Sequence, residues 1–207
     1  MDINTHSRNT DLTRETLLRS AFCEIHRNGF QGASVANILQ STGLTKGALY
    51  HHFSTKHALG LAVIDDIIAP FISQVLLAPI QHSDQPTLTL INILLQLGDT
   101  MGEEKILLGC PLNNLMQEMS PLDDDFRQHL HQVLTHWQSV LQQTFEHDQQ
   151  RGVVRHDVDC RAAALFVQSA WEGCIGVAKT MQSISAFQSC MQQLANYVRS
   201  LMVSGVP

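Results

Sequence analysis

The sequence predicts an all-α protein: a small three-helix module over residues 1–55, followed by a larger helical part over residues 56–207. Three observations predict it. Apolar residues recur at i, i+3 and i+4 along most of the chain, the repeat of a helix with one buried face. Proline is scarce, with 6 in 207 residues, so long helices are allowed. Between Ser34 and Lys56 the string SVANILQSTGLTKGALYHHFSTK reads as two short helices joined by a tight turn, with a third beginning after it.

The first helix is expected over about residues 13–28, with Leu17, Leu18, Ala21, Phe22 and Ile25 on one face and Gly29 as its stop. Ser34 is placed to cap the second helix through its side chain, and Val35, Ile38 and Leu39 turn inward. Gly43 supplies the turn, because glycine adopts positive φ without steric cost. Thr45 caps the third helix, whose Leu49 and Phe53 face the core. Lys46, Ala48, Tyr50 and His51 are left facing outward. So few apolar anchors and so polar an outer face suit a helix that touches something, and the arrangement is that of a helix-turn-helix whose second helix enters the DNA major groove.

The rest of the chain follows the same logic. A fourth helix starts after Thr55 and runs through LGLAVIDDIIAPFISQVLL, kinked at Pro70; a fifth opens at Pro86 and reaches about residue 101. GEEKILLG reads as a loop, then CPLNNLMQEM as a short helix. Ser120 is expected to cap a long helix over 121–150, with Asp123, Asp124 and Asp125 complementing its dipole. Three consecutive aspartates point around a helix, so no metal is expected there. The last two helices, about 159–181 and 185–203, mix small residues (Ala163, Ala164, Ala170, Gly173, Gly176) with Leu165, Phe166 and Trp171. They carry more apolar surface than one subunit hides, which predicts a homodimer built on a four-helix bundle.

Composition limits the function classes. Residues 1–60 hold six Lys/Arg against four Asp/Glu, whereas residues 61–207 hold seven against fifteen. The net charge of −6 therefore sits away from the reading helix and does not oppose DNA binding. No apolar stretch reaches the ~18 residues of a membrane span, and the polar start is unlike a signal peptide, so a cytoplasmic protein with no membrane partner is expected. Cys23, Cys110, Cys160, Cys174 and Cys190 are odd in number and lack CxxC, which predicts reduced thiols without zinc. No nucleophile elbow or oxyanion loop surrounds any cysteine, so no catalytic residue, cofactor or enzyme activity is expected.

The elements NGF (28–30), STG (41–43), KGALYHHF (46–53) and TKHAL (55–59) together resemble the TetR family of transcriptional regulators. Leu39 departs from that pattern, which more often has alanine there. The resemblance implies a dimeric repressor on palindromic double-stranded DNA; an activator of the same fold is the alternative, since the sign of regulation depends on operator position. Side-chain chemistry divides the expected contacts. Lys46, Tyr50 and Lys56 suit phosphates, Gly47 close backbone approach, and Ala48 a thymine methyl. Thr45 and His51 suit base edges or nearby phosphates, and Ser34 a phosphate at its helix start. The resemblance also implies a small-molecule effector in a C-terminal cavity, with a lining that includes Leu94, Met101, Met116, Trp137 and Trp171. Such stripes equally serve plain core. In this half, GC at 109–110 and AK at 178–179 look like the electrophile-sensing repressors that control an N-ethylmaleimide reductase. That likeness implies a sensing pair, Cys110 and Lys179, and thus a thiol or redox switch. Cys110 is expected to be reactive through the helix dipole, with Lys105 assisting.

Overall fold

A computed structural model describes residues 3–100 and 102–203, with side chains placed for 10–97, 102–104 and 106–203. Met101 and the Lys105 side chain lie outside the described residues. Among these residues every regular element is helical, beside one isolated bridge between Val154 and Met202. The order is α1 (Ile3–Gly32), α2 (Val35–Thr42), α3 (Lys46–His52), α4 (Lys56–Gln81), α5 (Pro86–Thr100), α6 (Glu103–Leu108), α7 (Pro111–Met119), α8 (Asp124–Gln150), α9 (Cys160–Met181) and α10 (Ile184–Ser200). Residues 1–70 with 114–130 form one compact unit, and residues 71–113 with 131–207 form the other. The first contains the whole of the expected 1–55 module.

In the first unit α1 packs on α2, α3 and the start of α4. Its core is Leu17, Leu18, Ala21, Ile25 and Phe30 with Ile38, Leu39, Leu49, Phe53, Leu59 and Val63. Regular helix stops at Gly29, where φ is 73° and ψ 166°, a conformation open only to glycine. Beyond it, the amides of Phe30 and Gln31 each donate to a different oxygen of the Glu118 carboxylate at 2.8 Å. One side chain from α7 thus satisfies two donors that the broken helix would leave bare. Gly60 is buried for a second reason: a Cβ there would meet the Phe30 ring at 2.5 Å and the Phe126 ring at 2.7 Å. Its absence lets those two rings pack with centroids 4.5 Å apart.

Several local expectations need correcting. α8 begins at Asp124, and its cap is Asp123, whose Oδ1 accepts from the Phe126 amide at 3.0 Å; Ser120 lies in the preceding turn. Residues 103–108, expected as a loop, form α6 with Glu103 and Glu104 in its first turn. At Pro70, where a kink is expected, the chain stays helical, flanked by two wider π-type stretches, Ile64–Ile68 and Ile72–Leu77. α4 is also long and apolar enough, by length and composition alone, to cross a membrane, which the sequence reading had not expected. The apolar window tolerates Asp65 and Asp66. Asp66 pairs with Arg14, and Asp65 with His129 at 2.8 Å.

In the second unit α10 packs on α5 and α9, and α6 touches both α9 and α10. Asp159 caps α9 through the Ala162 amide, and Ser183 caps α10 through the Ala186 amide. Cys174 and Cys190 are joined by a disulfide, with Cα atoms 5.6 Å apart. This corrects the expectation of five reduced thiols: closely packed α9 and α10 bring together two cysteines that carry no spacing signature. Cys23, Cys110 and Cys160 remain free.

Gly29→Ala should lower stability by about 1–3 kcal/mol, because it combines a forbidden backbone conformation with a Cβ 2.8 Å from Glu118 Oε2. Thermal unfolding of the two proteins checks this, and an unchanged midpoint would mean that the Glu118 contact does not need glycine.

Candidate nucleic-acid interface and effector site

The reading surface is built from short-range contacts. Gly43 adopts φ 68°, ψ 9° and donates its amide to the Leu39 carbonyl, closing α2 and reversing the chain. Thr45 Oγ1 accepts from the Ala48 amide at 3.2 Å, and Thr55 does the same for Ala58 at 2.9 Å. Leu49 and Phe53 are buried and hold α3 against α1, with the Arg14 guanidinium 5.3 Å from the Phe53 ring centre. Thr45, Lys46, Gly47, Tyr50 and His51 are exposed, and Ala48 is half-buried. These six lie on one turn-and-helix segment with no contact that would keep them from a groove. Beside them, burial, then the neighbouring charges of His51 and Arg14, hold the His52 pKa down.

Two expected contacts sit differently. Ser34 precedes α2 in extended conformation, but its hydroxyl makes no capping bond. Its amide donates instead to Glu24 Oε1 at 3.0 Å, which also accepts from Asn37 at 2.9 Å. Burial opposes the charge on Glu24, but the Ser34 amide and the side chains of Asn37, Asn28 and Arg27 hold its pKa below the usual value. Glu24 thus serves the amide that precedes α2 and the Asn37 side chain, while the helix start goes without a side-chain cap. The Lys56 ammonium donates to the Gln31 carbonyl at 3.2 Å and lies 4.8 Å from the Phe30 ring centre. It ties the start of α4 to the end of α1, leaving two of its three donors for a phosphate.

A cluster that sequence alone does not suggest lies in the same unit. His57 Nε2 is 3.0 Å from Asp123 Oδ2 and 3.8 Å from Asp125 Oδ2, so one histidine and two carboxylates offer converging ligand atoms. This departs from the expectation that the three aspartates point apart: Asp123 and Asp125 converge with His57, while Asp124 pairs with Arg127.

Of the expected effector residues, Met116 falls in the first unit, and Cys110, Trp137, Trp171 and Lys179 in the second. Trp137 and Trp171 are buried edge to face, with centroids 5.4 Å apart. Lys179 is exposed in the last turn of α9. Cys110 lies just before α7, half-buried, with its thiol donating to Glu172 Oε1 at 3.4 Å. Burial, then the charge of Glu172, push the thiol well above its ordinary pKa, against the pull of the Asn113 and Leu112 amides. The dipole-activated thiolate expected from sequence is therefore absent. A cleft of about 260 Å³ opens elsewhere in this unit, between the α4–α5 turn and the middle of α8, lined by Ser83, Pro86, Val140, Gln143, Thr144 and His147.

Sequence reasoning also missed Glu172, a carboxyl on the buried face of α9. Its signal is a charged residue in register with Ala164, Gln168, Trp171, Ile175 and Ala178. On the opposite face Leu165, Phe166, Val177 and Met181 are each more than half exposed, and Phe166 meets Tyr197 edge to face with centroids 4.6 Å apart.

Comparison with known proteins agrees with this geometry. Residues 17–63 match the family described as bacterial regulatory proteins, tetR family, and residues 89–194 match the tetracyclin repressor-like C-terminal domain. The transcriptional regulator AcuR of Cereibacter sphaeroides is 32% identical over 81% of this chain and 77% of its own length. The transcriptional repressor NemR of Escherichia coli is 22% identical over 90% of this chain and 94% of its own; its reduced form superimposes with a TM-score of 0.82 over 94% of this chain and 99% of that one, at 20% identity. A regulatory protein TetR from Rhodobacter sphaeroides gives a TM-score of 0.80 at 27% identity, covering 93% of this chain and all of that one.

Proposed function

The chain belongs to the tetR family of bacterial regulatory proteins, and we propose that it is a cytoplasmic homodimeric repressor that leaves a palindromic operator when an electrophile reacts at Cys110. As a member of that family it is a DNA-binding transcriptional regulator with a helix-turn-helix domain. The observation that carries the reading is the exposed face of Thr45–His51 on a helix anchored by Leu49 and Phe53. In a groove, Lys46 and Tyr50 bind phosphates, and Lys56 joins them with its remaining donors. Gly47 permits close approach, Ala48 meets a thymine methyl, and Thr45 and His51 reach base edges. Ser34 contributes its free hydroxyl to a phosphate.

Two copies read two half-sites about one helical turn apart, and so the operator is an inverted repeat. What supports the dimer is the apolar stripe Leu165, Phe166, Val177 and Met181 on α9, with exposed Gly173 between its halves, where a second α9 can approach closely. For the effector, the support is the likeness around Cys110 and Lys179 and the half-buried position of Cys110. An effector shifts the equilibrium only as far as it prefers the released geometry, and a covalent adduct satisfies that if the packing around Cys110 cannot hold it in the DNA-bound form.

Genomic fragments selected on the protein should share a palindrome, and N-ethylmaleimide should release them from wild type but not from Cys110→Ser. Equal release from both would remove Cys110 from the mechanism. Lys46→Ala should weaken binding to all sequences alike and flatten the plot of log affinity against log salt by about one unit per site, read by fluorescence anisotropy. Phe166→Asp should yield monomers in sedimentation and lose operator binding. A dimer that persists would place the seam elsewhere.

A further inference from the structure

Glu172 is a carboxyl that neither core packing nor DNA reading uses. It is 6% exposed; Oε1 accepts from the Cys110 thiol, and Oε2 has no partner. A buried acid with a bare oxygen is costly, and an apolar residue of similar volume would pack the same space at lower cost. Its surroundings keep it in place: Asn113 Nδ2 donates to the Glu172 carbonyl at 3.2 Å, and Gln168, one turn earlier, donates to the Leu134 carbonyl at 3.0 Å. The Leu112 and Asn113 amides, at the start of α7, act on the same sulfur. Cys110 therefore has a proton acceptor 3.4 Å away and two N–H donors able to hold the anion left behind.

We infer that Glu172 is the proton acceptor through which Cys110 adds to an α,β-unsaturated carbonyl effector. The inference rests on the electrophile reading given above and assigns it a working residue. Sγ forms a bond to the β-carbon of the effector while the S–H bond breaks and its proton passes to Glu172. The π electrons of the C=C bond move to the α-carbon as an enolate. Glu172 then returns the proton to the α-carbon, regenerating the carboxylate. The product is a thioether that keeps every atom of both reactants, without an oxidant or leaving group.

The surrounding charges favour this route over spontaneous ionisation. Burial raises the Glu172 pKa to about 7, against the opposing pull of the Cys110 hydrogen bond, while the thiol lies well above its ordinary value. Free thiolate is scarce at neutral pH, but above about pH 7 the ionised acceptor predominates beside the thiol. Among the described residues Cys110 is the titratable group that acts on Glu172. Glu103 and Glu104 of α6, His131 and His136 of α8, Lys179 of α9 and Arg199 of α10 are exposed to solvent.

The test follows N-ethylmaleimide modification of Cys110 in the full-length protein by peptide-resolved mass spectrometry from pH 5.5 to 9. Cys23, which is free and exposed, serves as the internal control. In wild type the Cys110 rate should rise with ionisation of Glu172 and level off above about pH 7. Glu172→Gln should slow Cys110 roughly a hundredfold at pH 8 and abolish the levelling, with Cys23 unchanged; Glu172→Asp should fall between and keep the levelling. A wild-type rate that climbs tenfold per pH unit through pH 9 would overturn the inference without recourse to any variant. So would equal or faster labelling in Glu172→Gln, which would make the carboxylate a brake and leave Cys110 sensing intact. No Cys110 adduct at any pH would defeat the electrophile reading and this inference together.

Discussion

The geometry of the reading unit depends on one carboxylate. Glu118 holds the amides of Phe30 and Gln31 at 2.8 Å, at the point where α1 breaks at Gly29. Without that acceptor the Phe30 amide would be left bare in a partly buried turn, at a cost of about 1–3 kcal/mol, and the Gln31 amide would turn to water. The turn it stabilises delivers Ala33 into the core and starts α2 at Val35. The same turn presents the Gln31 carbonyl to Lys56 at the start of α4. The exit of α1 and the entry of α4 are thereby tied to one short segment, and α2 and α3 are hung between them.

What could be read from the sequence divides by distance along the chain. Thr45, Thr55 and Gly43 act on groups three or four residues away, so residue type and spacing suffice to assign them. The inward places of Leu49 and Phe53 follow equally from helical period. The Glu118 contact spans 88 residues and the Cys110–Glu172 contact 62, and no local pattern encodes either. Ser34 shows the limit even at short range. A serine before a helix is a good cap, yet its hydroxyl makes no such bond here, and the Ser34 amide is held by Glu24, ten residues earlier.

At Cys110 two opposing influences meet on one sulfur. The helix start favours thiolate, and the amides of Leu112 and Asn113 do pull in that direction. Burial of the sulfur and the neighbouring acid outweigh them, because desolvation of a charge in an apolar interior exceeds the effect of two partial dipoles. The same burial separates this thiol from Cys23 at the surface and from the cystine that Cys174 forms with Cys190.

α9 carries an acid against the Cys110 sulfur on one side and an apolar ridge on the other. A helix is stiff across its width, so a tilt that makes room for an added group inside must also displace Phe166 and Val177 outside. On the proposed reading, chemistry at the Cys110 sulfur would in this way become a change of shape along an entire flank, with no flexible relay between cause and effect.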